Sequence, residues 1–280
     1  MKRSHRVFGR RPWLQLGLAL ALGTCIAVPV RACTIFVLAD TNRVLFCNNE
    51  DWTNRTSRVW FVPAGPKHYG CAYVGFDDGW PFGGLNTAGL AFDWVAGWRE
   101  AWKPDPGLPG IERMEQLPET CATVEEAIAF YRGHREPSFS WGKVVVADRT
   151  GASAIIGAKD GKLKVERSRQ SRGFGYGGRI LGNRLAESPA PTVANGVGLL
   201  RACMQKGRYA TKYSNIYDLR SGDIFLFRSP IGDAAVKFNL AAELKKGAHY
   251  YDMPHIHEQM TQAPRPLPAS IERRRRDKSL

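Results

Sequence analysis

Short apolar runs alternate with turn-forming residues along the part of the chain that follows residue 32. The runs are rich in β-branched and aromatic residues, and Asp77-Asp78-Gly79 and Gly83-Gly84 interrupt them. This pattern predicts strands at 34–38, 44–47, 59–62, 72–76 and 90–95. A stretch with so many turns and no helical period predicts an antiparallel sheet.

The second half of the chain mixes helical and strand patterns. A capping box at Thr123-Val124-Glu125-Glu126 predicts a helix that reaches about residue 132. The other predicted elements are a three-strand meander at 144–148, 152–156 and 163–166, a helix at 193–205, a hairpin at 214–219 and 224–227, and a helix at 241–246. Two blocks of antiparallel strands with helices between them predict a layered α+β domain.

The longest apolar run, 14–28, follows a cluster of basic residues and precedes the small residues Val30 and Ala32. This order predicts a signal peptide at 1–32 that is cleaved after Ala32. Export places the protein in the periplasm or outside the cell, through the Sec route or, given Arg10-Arg11, the Tat route. The mature domain is predicted at 33–262, without a membrane span. The Pro-rich and Arg-rich segment 263–280 is predicted to be a basic, disordered tail.

The net charge of +14 lies mostly at the two ends of the chain, and removing both leaves about +4 in the domain. We therefore expect no nucleic-acid partner. His255 and His257 lack a third ligand at a suitable spacing, and no phosphate-binding loop is present, so we expect neither a metal nor another cofactor. Once Cys25 leaves with the signal peptide, five cysteines remain, and they either form up to two disulfides or pack as small apolar residues.

Cys33 becomes the first residue of the mature chain if cleavage follows Ala32. It then carries a thiol and an α-amine, whose pKa is ordinarily about 8, and this amine can take the proton of the thiol. A bacterial lipoprotein also has a cysteine at this position, where it carries lipid. Arg31 is large for a lipoprotein processing signal, and a strand rather than a flexible tether follows Cys33.

Three other polar residues lie where the chain is predicted to turn. Asp51 follows the second strand, and a hairpin with its turn near 41–43 would return this carboxylate to Cys33, where it can hold the amine. Asn86, between Gly84 and Gly89, and Asn183, after a Gly-rich loop at 173–178, each offer an amide N–H group to an oxyanion. Taken singly, each is also explained as a turn residue.

This order of residues resembles the choloylglycine hydrolase or linear-amide C–N hydrolase family, which is penicillin V acylase-like and belongs to the N-terminal-nucleophile (Ntn) hydrolases. The resemblance covers nearly the whole mature chain. It is carried by Cys33-Thr34, by Asp51 and the aromatic residue after it, by the Gly-Leu-Asn-x-x-Gly-Leu loop at 84–90, by the meander that leads to Asn183, and by the hairpin at 213–219. It implies a four-layer αββα sandwich of two antiparallel sheets.

The resemblance also implies a function and a set of site residues. Cys33 would be nucleophile and base, Asp51 would orient its amine, and Asn86 and Asn183 would form the oxyanion hole. The implied reaction is hydrolysis of a small, non-peptide N-acyl amide through a thioester, by a homo-oligomer such as a tetramer. Family members usually have an arginine three residues before the aspartate, where this chain has Asn48.

Two alternatives stay open from the sequence. The first is a catalytically impaired member of the family, or a lipid-anchored binding protein with the same fold, which the loss of the arginine favours. The second is a papain-like cysteine protease that uses one of the histidines at 68, 134 and 249. Aromatic residues near the predicted site either line a pocket or belong to the core: Trp52, Trp80, Phe82, Trp94 and Trp98.

Overall fold

A computed structural model describes residues 33–53, 55–232 and 234–276. Its strands are β1 (Thr34–Ala39), β2 (Val44–Asp51), β3 (Ser57–Val62), β4 (Cys71–Phe76), β5 (Pro81–Asn86), β6 (Ala91–Ala96), β7 (Gly142–Ala147), β8 (Ser153–Lys159), β9 (Lys162–Ser168), β10 (Arg172–Gly175), β11 (Thr211–Asp218), β12 (Asp223–Arg228), β13 (Val236–Asn239) and β14 (His249–Asp252). Its helices are α1 (Gln116–Thr120), α2 (Val124–Gly133), α3 (Gly178–Ala186), α4 (Val193–Ala202), α5 (Leu240–Leu244), α6 (Ile256–Gln259) and α7 (Ala269–Arg276). The predicted signal peptide lies outside the described residues.

The strands form two antiparallel sheets. The first sheet has the order β10-β1-β2-β11-β12-β13, and the second has the order β14-β3-β4-β5-β6-β7-β8-β9. The predicted meander is formed by β7, β8 and β9, and the predicted hairpin by β11 and β12. Both predictions are confirmed.

Successive side chains of β1 point to opposite faces of the first sheet and pack in different layers. Ile35 and Val37 belong to a core shared by the two sheets, whereas Phe36 and Leu38 pack with Leu181 of α3 and residues of α4. A third apolar cluster covers the outer face of the second sheet with residues of α1, α2 and α7. The predicted four-layer αββα sandwich is therefore confirmed.

Strand β5 runs through the two glycines that the sequence marks as a break. A Cβ atom at Gly83 would lie 2.1 Å from Oδ2 of Asp93, and one at Gly84 would lie 2.5 Å from the carbonyl oxygen of Ala72. These glycines allow close approach within a sheet rather than ending a strand. The prediction of a break is wrong for this reason.

The prediction of a disordered tail is wrong for residues 269–276, which form α7. Ile271 on this helix is fully buried, and Arg275 donates a hydrogen bond to Glu119 over 2.9 Å. These two contacts, together with a hydrogen bond from Arg274 to the carbonyl oxygen of Asp78, attach this basic segment to the domain, and composition alone does not reveal them. Within 33–53, 55–232 and 234–276, none of the helices has the length and apolar character needed to cross a membrane.

Candidate active site

The hairpin of β1 and β2 places Cys33 beside a carboxylate. Its turn is closed by Asp40, whose Oδ1 accepts hydrogen bonds from the backbone of Asn42 and Arg43. The register pairs Thr34 with Asn49, so Cys33 comes opposite Glu50. The sulfur of Cys33 is 3.2 Å from Oε1 of Glu50, and Cys33 is only 5% exposed.

Asp51 lies at the same cavity as Cys33, as the predicted hairpin requires. Its carboxylate accepts hydrogen bonds of 2.5 Å from Nε2 of Gln205 and from Oγ1 of Thr211. Burial raises the pKa of Asp51 from 3.8 to about 7, against the lowering effect of these two hydrogen bonds. Gln205 and Thr211 belong to no recognisable motif, so they could not be identified from the sequence.

The cavity has a volume of about 260 Å³ and walls that are mainly aromatic. Four of the five predicted aromatic candidates line it, while Trp98 stacks on Phe174 with ring centroids 5.0 Å apart. The complete aromatic lining among the described residues is Trp52, Trp80, Phe82, Trp94, Trp141 and Tyr209. Such walls suit an apolar group of a small ligand.

The oxyanion-hole prediction for Asn86 is wrong. Its Nδ2 donates 2.7 Å hydrogen bonds to the carbonyl oxygens of Pro118 and Cys121, and its Oδ1 accepts from the amide of Leu90. It borders a different cavity, which Arg149 also lines. With both amide protons in use, Asn86 links the β5–β6 turn to α1 and to the residue that follows it.

The same prediction is wrong for Asn183. The Gly-rich segment before it does not form a long loop, because its residues form β10 and then the start of α3. Asn183 lies on α3 with its side chain exposed, and it is not among the described residues that line the cavity of Cys33.

The histidines that a papain-like site would need lie elsewhere in the described chain. His68 accepts a hydrogen bond from the amide of Gly65, and His134 contacts the carbonyl oxygen of Phe130. Nε2 of His249 lies 3.0 Å from Glu243. None of them is among the described residues lining the cavity, so the structure contradicts the papain-like alternative.

This arrangement of sheets matches solved structures over most of the chain. A penicillin V acylase from Agrobacterium tumefaciens is similar with a TM-score of 0.62 and 17% identity, covering 84% of this chain and 99% of its own. A variant of conjugated bile acid hydrolase from Clostridium perfringens is similar with a TM-score of 0.63 and 13% identity, covering 85% and 99%. The chain has the Ntn-hydrolase fold. No family model and no curated protein matches its sequence.

Within the Ntn-hydrolase fold, this site contains carboxylates that the sequence interpretation missed. Glu50 lies on β2 of the first sheet and Asp93 lies on β6 of the second sheet, and both side chains are fully buried. Neither carboxylate oxygen of Asp93 has a well-formed hydrogen bond among the described residues. Burial, reinforced by the charge of Glu50, raises the pKa of Asp93 well above its ordinary value. The sequence does contain a sign of these buried carboxylates, because Glu50 shares a strand face with Asn48 and Asp93 interrupts an apolar strand.

The thiol of Cys33 has an electronegative environment in this Ntn-hydrolase fold. Burial, followed by the charges of Glu50, Asp51 and Asp93, raises its pKa well above the ordinary value, although the backbone amide of Asp51 favours the thiolate. Asn48, which lies near the thiol on β2, supplies no positive charge. Burial and the surrounding acids therefore favour the neutral thiol over the thiolate.

All five cysteines of the described chain are unpaired and buried. The structure thus favours packing over disulfides, which the sequence left open. No group of three or more His, Cys, Asp and Glu side chains suited to a metal occurs in 33–53, 55–232 and 234–276.

Proposed function

We propose that this protein is a cysteine amidase that hydrolyses a small, linear N-acyl amide. The observation that carries the proposal is the meeting of Cys33 and Asp51 at one aromatic cavity. The fold supports it, because the similar structures include a penicillin V acylase and a conjugated bile acid hydrolase.

The proposed reaction begins with removal of 1–32, which makes Cys33 the N-terminal residue of an exported protein. Its sulfur attacks the carbonyl carbon of the amide, the C–N bond breaks, and the amine product leaves. Water then hydrolyses the thioester. Asp51 holds the α-amine of Cys33, and the hydrogen bonds from Gln205 and Thr211 fix the orientation of that carboxylate.

The substrate is proposed to place an apolar acyl group against the aromatic walls. Trp52 packs edge-on against Phe82 with centroids 5.3 Å apart, and Trp94 lies 6.3 Å from Trp141. These contacts fix the ring positions before a ligand arrives, which reduces the entropy lost on binding. A homo-oligomer, such as a tetramer, remains a prediction from the family resemblance.

Two measurements test the proposed function. Mass spectrometry of the secreted protein should find Cys33 as an unmodified N-terminal residue. Hydrolysis of a panel of N-acyl amides with varied acyl groups should then reveal a substrate, and Cys33→Ser should abolish its turnover. A different N-terminus, or a lipid on Cys33, contradicts the mechanism.

A non-catalytic protein with the same fold is the second candidate, and the acidic surroundings of Cys33 favour it. A raised thiol pKa lowers the reactivity of an unassisted cysteine. The two candidates differ in thiol chemistry: an amidase should react with an alkylating probe faster than a model thiol at the same pH, and a binding protein should not.

A further inference from the structure

Glu50 has a proton-accepting side chain in hydrogen-bond contact with the proposed nucleophile. It is fully buried at the cavity, and its Oε1 accepts a hydrogen bond from the sulfur of Cys33 over 3.2 Å. We propose that Glu50 is a catalytic residue that takes the thiol proton of Cys33 as the sulfur attacks the substrate. This inference rests on the proposed function and assigns to a carboxylate a step that the family resemblance assigns to the α-amine.

Asn48 supports this role by fixing the carboxylate. Asn48 and Glu50 are two residues apart on β2, so their side chains share the face between the sheets. Nδ2 of Asn48 donates to Oε2 of Glu50 over 3.3 Å, which leaves Oε1 directed at the sulfur. The residue that replaces the family arginine therefore orients a base instead of stabilising a thiolate.

The charges around Glu50 make such a base necessary. Burial and the charges of Glu50, Asp51 and Asp93 disfavour a free thiolate, and the hydrogen bond from the backbone amide of Asp51 offsets this only in part. A neutral thiol can still attack if its proton leaves during the attack, which is general base catalysis. The titratable groups that interact with Glu50 are Cys33 at the start of β1, Asp51 on β2, Asp93 on β6, and Tyr213 and Tyr217 on β11.

Burial also gives Glu50 a basicity that suits the step. It raises the pKa of Glu50 from 4.5 to about 8, the hydrogen bonds from Cys33 and Asn48 lower it, and the charge of Asp51 raises it. A carboxylate in this range is a far stronger base than an exposed glutamate, and it is ionised in a substantial fraction of molecules near pH 8.

The proton transfers then balance over one cycle. As the S–C bond forms, the thiol proton moves to Glu50, and as the C–N bond breaks, the α-ammonium of Cys33 gives a proton to the departing nitrogen. In the second half, the neutral α-amine takes a proton from the attacking water. When the S–C bond breaks, the proton of Glu50 returns to the sulfur and the acid product is released.

A purely electrostatic role for Glu50 predicts the opposite effect of mutation. If Glu50 only adds negative charge next to the sulfur, replacing it lowers the thiol pKa and speeds reactions of Cys33. If Glu50 accepts the proton, the replacement slows them. The sign of the change therefore separates the two roles.

The experiment measures the rate at which iodoacetamide alkylates Cys33 in the mature protein, with the modified N-terminal peptide quantified by mass spectrometry from pH 5 to 10. For the wild type we expect a rate that rises through about pH 8 as Glu50 ionises. Glu50→Gln should lower the rate at pH 7.5 by at least about tenfold and move the rise to the higher pKa of the thiol itself.

Two further variants complete the test. Glu50→Asp keeps the carboxylate but withdraws it from the sulfur, so it should show an intermediate rate at pH 7.5. Glu115→Gln is the matched control, because Glu115 is also buried, with Oε1 unpartnered within the described chain and a raised pKa, but it does not line the cavity. Its alkylation profile should equal that of the wild type.

An alkylation rate in Glu50→Gln that equals or exceeds the wild-type rate overturns the inference. If Glu50→Gln does not fold, a wild-type rate at pH 7.5 in Glu50→Asp overturns it as well. The proposed function fails separately, when no amide in the panel is hydrolysed or when Cys33→Ser still hydrolyses one. Slower alkylation in Glu50→Gln supports proton acceptance even if no substrate is found.

Discussion

Burial of Glu50 should make the stability of this protein depend on pH in an unusual direction. An exposed glutamate has a pKa near 4.5, whereas the pKa of Glu50 in the folded protein is about 8. Between these values the unfolded chain ionises this carboxyl and the folded protein keeps it protonated. Because the folded state binds more protons than the unfolded chain in this range, the contribution of Glu50 to the free energy of unfolding falls as pH rises.

The structure sets the size of this effect. One pKa unit corresponds to about 1.4 kcal/mol, and the window from about pH 5 to 8 spans roughly three units. The free energy of unfolding should therefore lose roughly 4 kcal/mol through Glu50 alone across this window. The direction is the opposite of that for a carboxylate held by an ion pair, whose stabilisation is lost as pH falls.

Glu50→Gln isolates this contribution, because glutamine has nearly the same shape and does not titrate. Urea unfolding of both proteins at pH 5, 6, 7 and 8 gives the difference in the free energy of unfolding at each pH. Carboxyls that do not interact with Glu50 titrate alike in both proteins and cancel in this difference, whereas the coupling of Glu50 to Asp51 and Asp93 is lost in the variant and is counted with the Glu50 contribution. We expect the variant to gain stability relative to the wild type by roughly 1 kcal/mol per pH unit.

A difference that stays constant from pH 5 to 8 would refute the reasoning. It would mean that Glu50 is ionised in the folded protein at pH 5, so that an unrecognised partner compensates its burial. A difference of the opposite sign, with the variant losing stability as pH rises, would show that Glu50 is part of a stabilising charge pair.

Three substitutions and one control substitution test other features of the structure. Asn86→Ala should lower the free energy of unfolding by at least about 2 kcal/mol, because it leaves buried backbone groups unpaired. The turnover per folded molecule should stay unchanged, and a loss of turnover without a loss of stability would show that Asn86 has a catalytic role after all. Gly83→Ala should cost about 1–3 kcal/mol in thermal or urea unfolding through the clash with Asp93, whereas Gly182→Ala, which meets nothing within 4 Å, should be neutral or stabilising. Ile271→Ala should cost about 2–4 kcal/mol, and an unchanged midpoint would contradict the docking of α7.

The sequence was most informative where one local rule determines the structure. The turn at Asp40 is closed by its own side chain, and strand periodicity then fixes the register, so the approach of Asp51 to Cys33 was predictable. The meander and the sandwich followed from the same alternation of apolar runs and turns.

The sequence was misleading where the role of a residue depends on the direction in which its side chain points. Asn86 sits in the Gly-Leu-Asn-x-x-Gly-Leu loop that carried part of the resemblance, but a motif does not show whether an amide points to the cavity or to the carbonyl oxygens of a neighbouring segment. The glycines before Asn183 suggested a loop. The segment instead forms α3, which is stabilised by packing of Leu181 against the first sheet. Both errors concern tertiary contacts, which a single sequence does not contain.

Glu50 and Asp51 show why a pair of adjacent acids matters in this fold. Successive residues of a strand face opposite sides of a sheet, so Glu50 faces the core between the sheets while Asp51 meets Gln205 and Thr211. Cys33 lies at the end of the neighbouring strand, where its thiol contacts the first of these carboxylates. If its α-amine is held by the second, two consecutive residues supply separate partners for the two proton-carrying groups of one nucleophile. In the proposed mechanism the thiol is competent with Asn48, rather than an arginine, on this strand, because the acid that disfavours the thiolate is also the base that removes its proton.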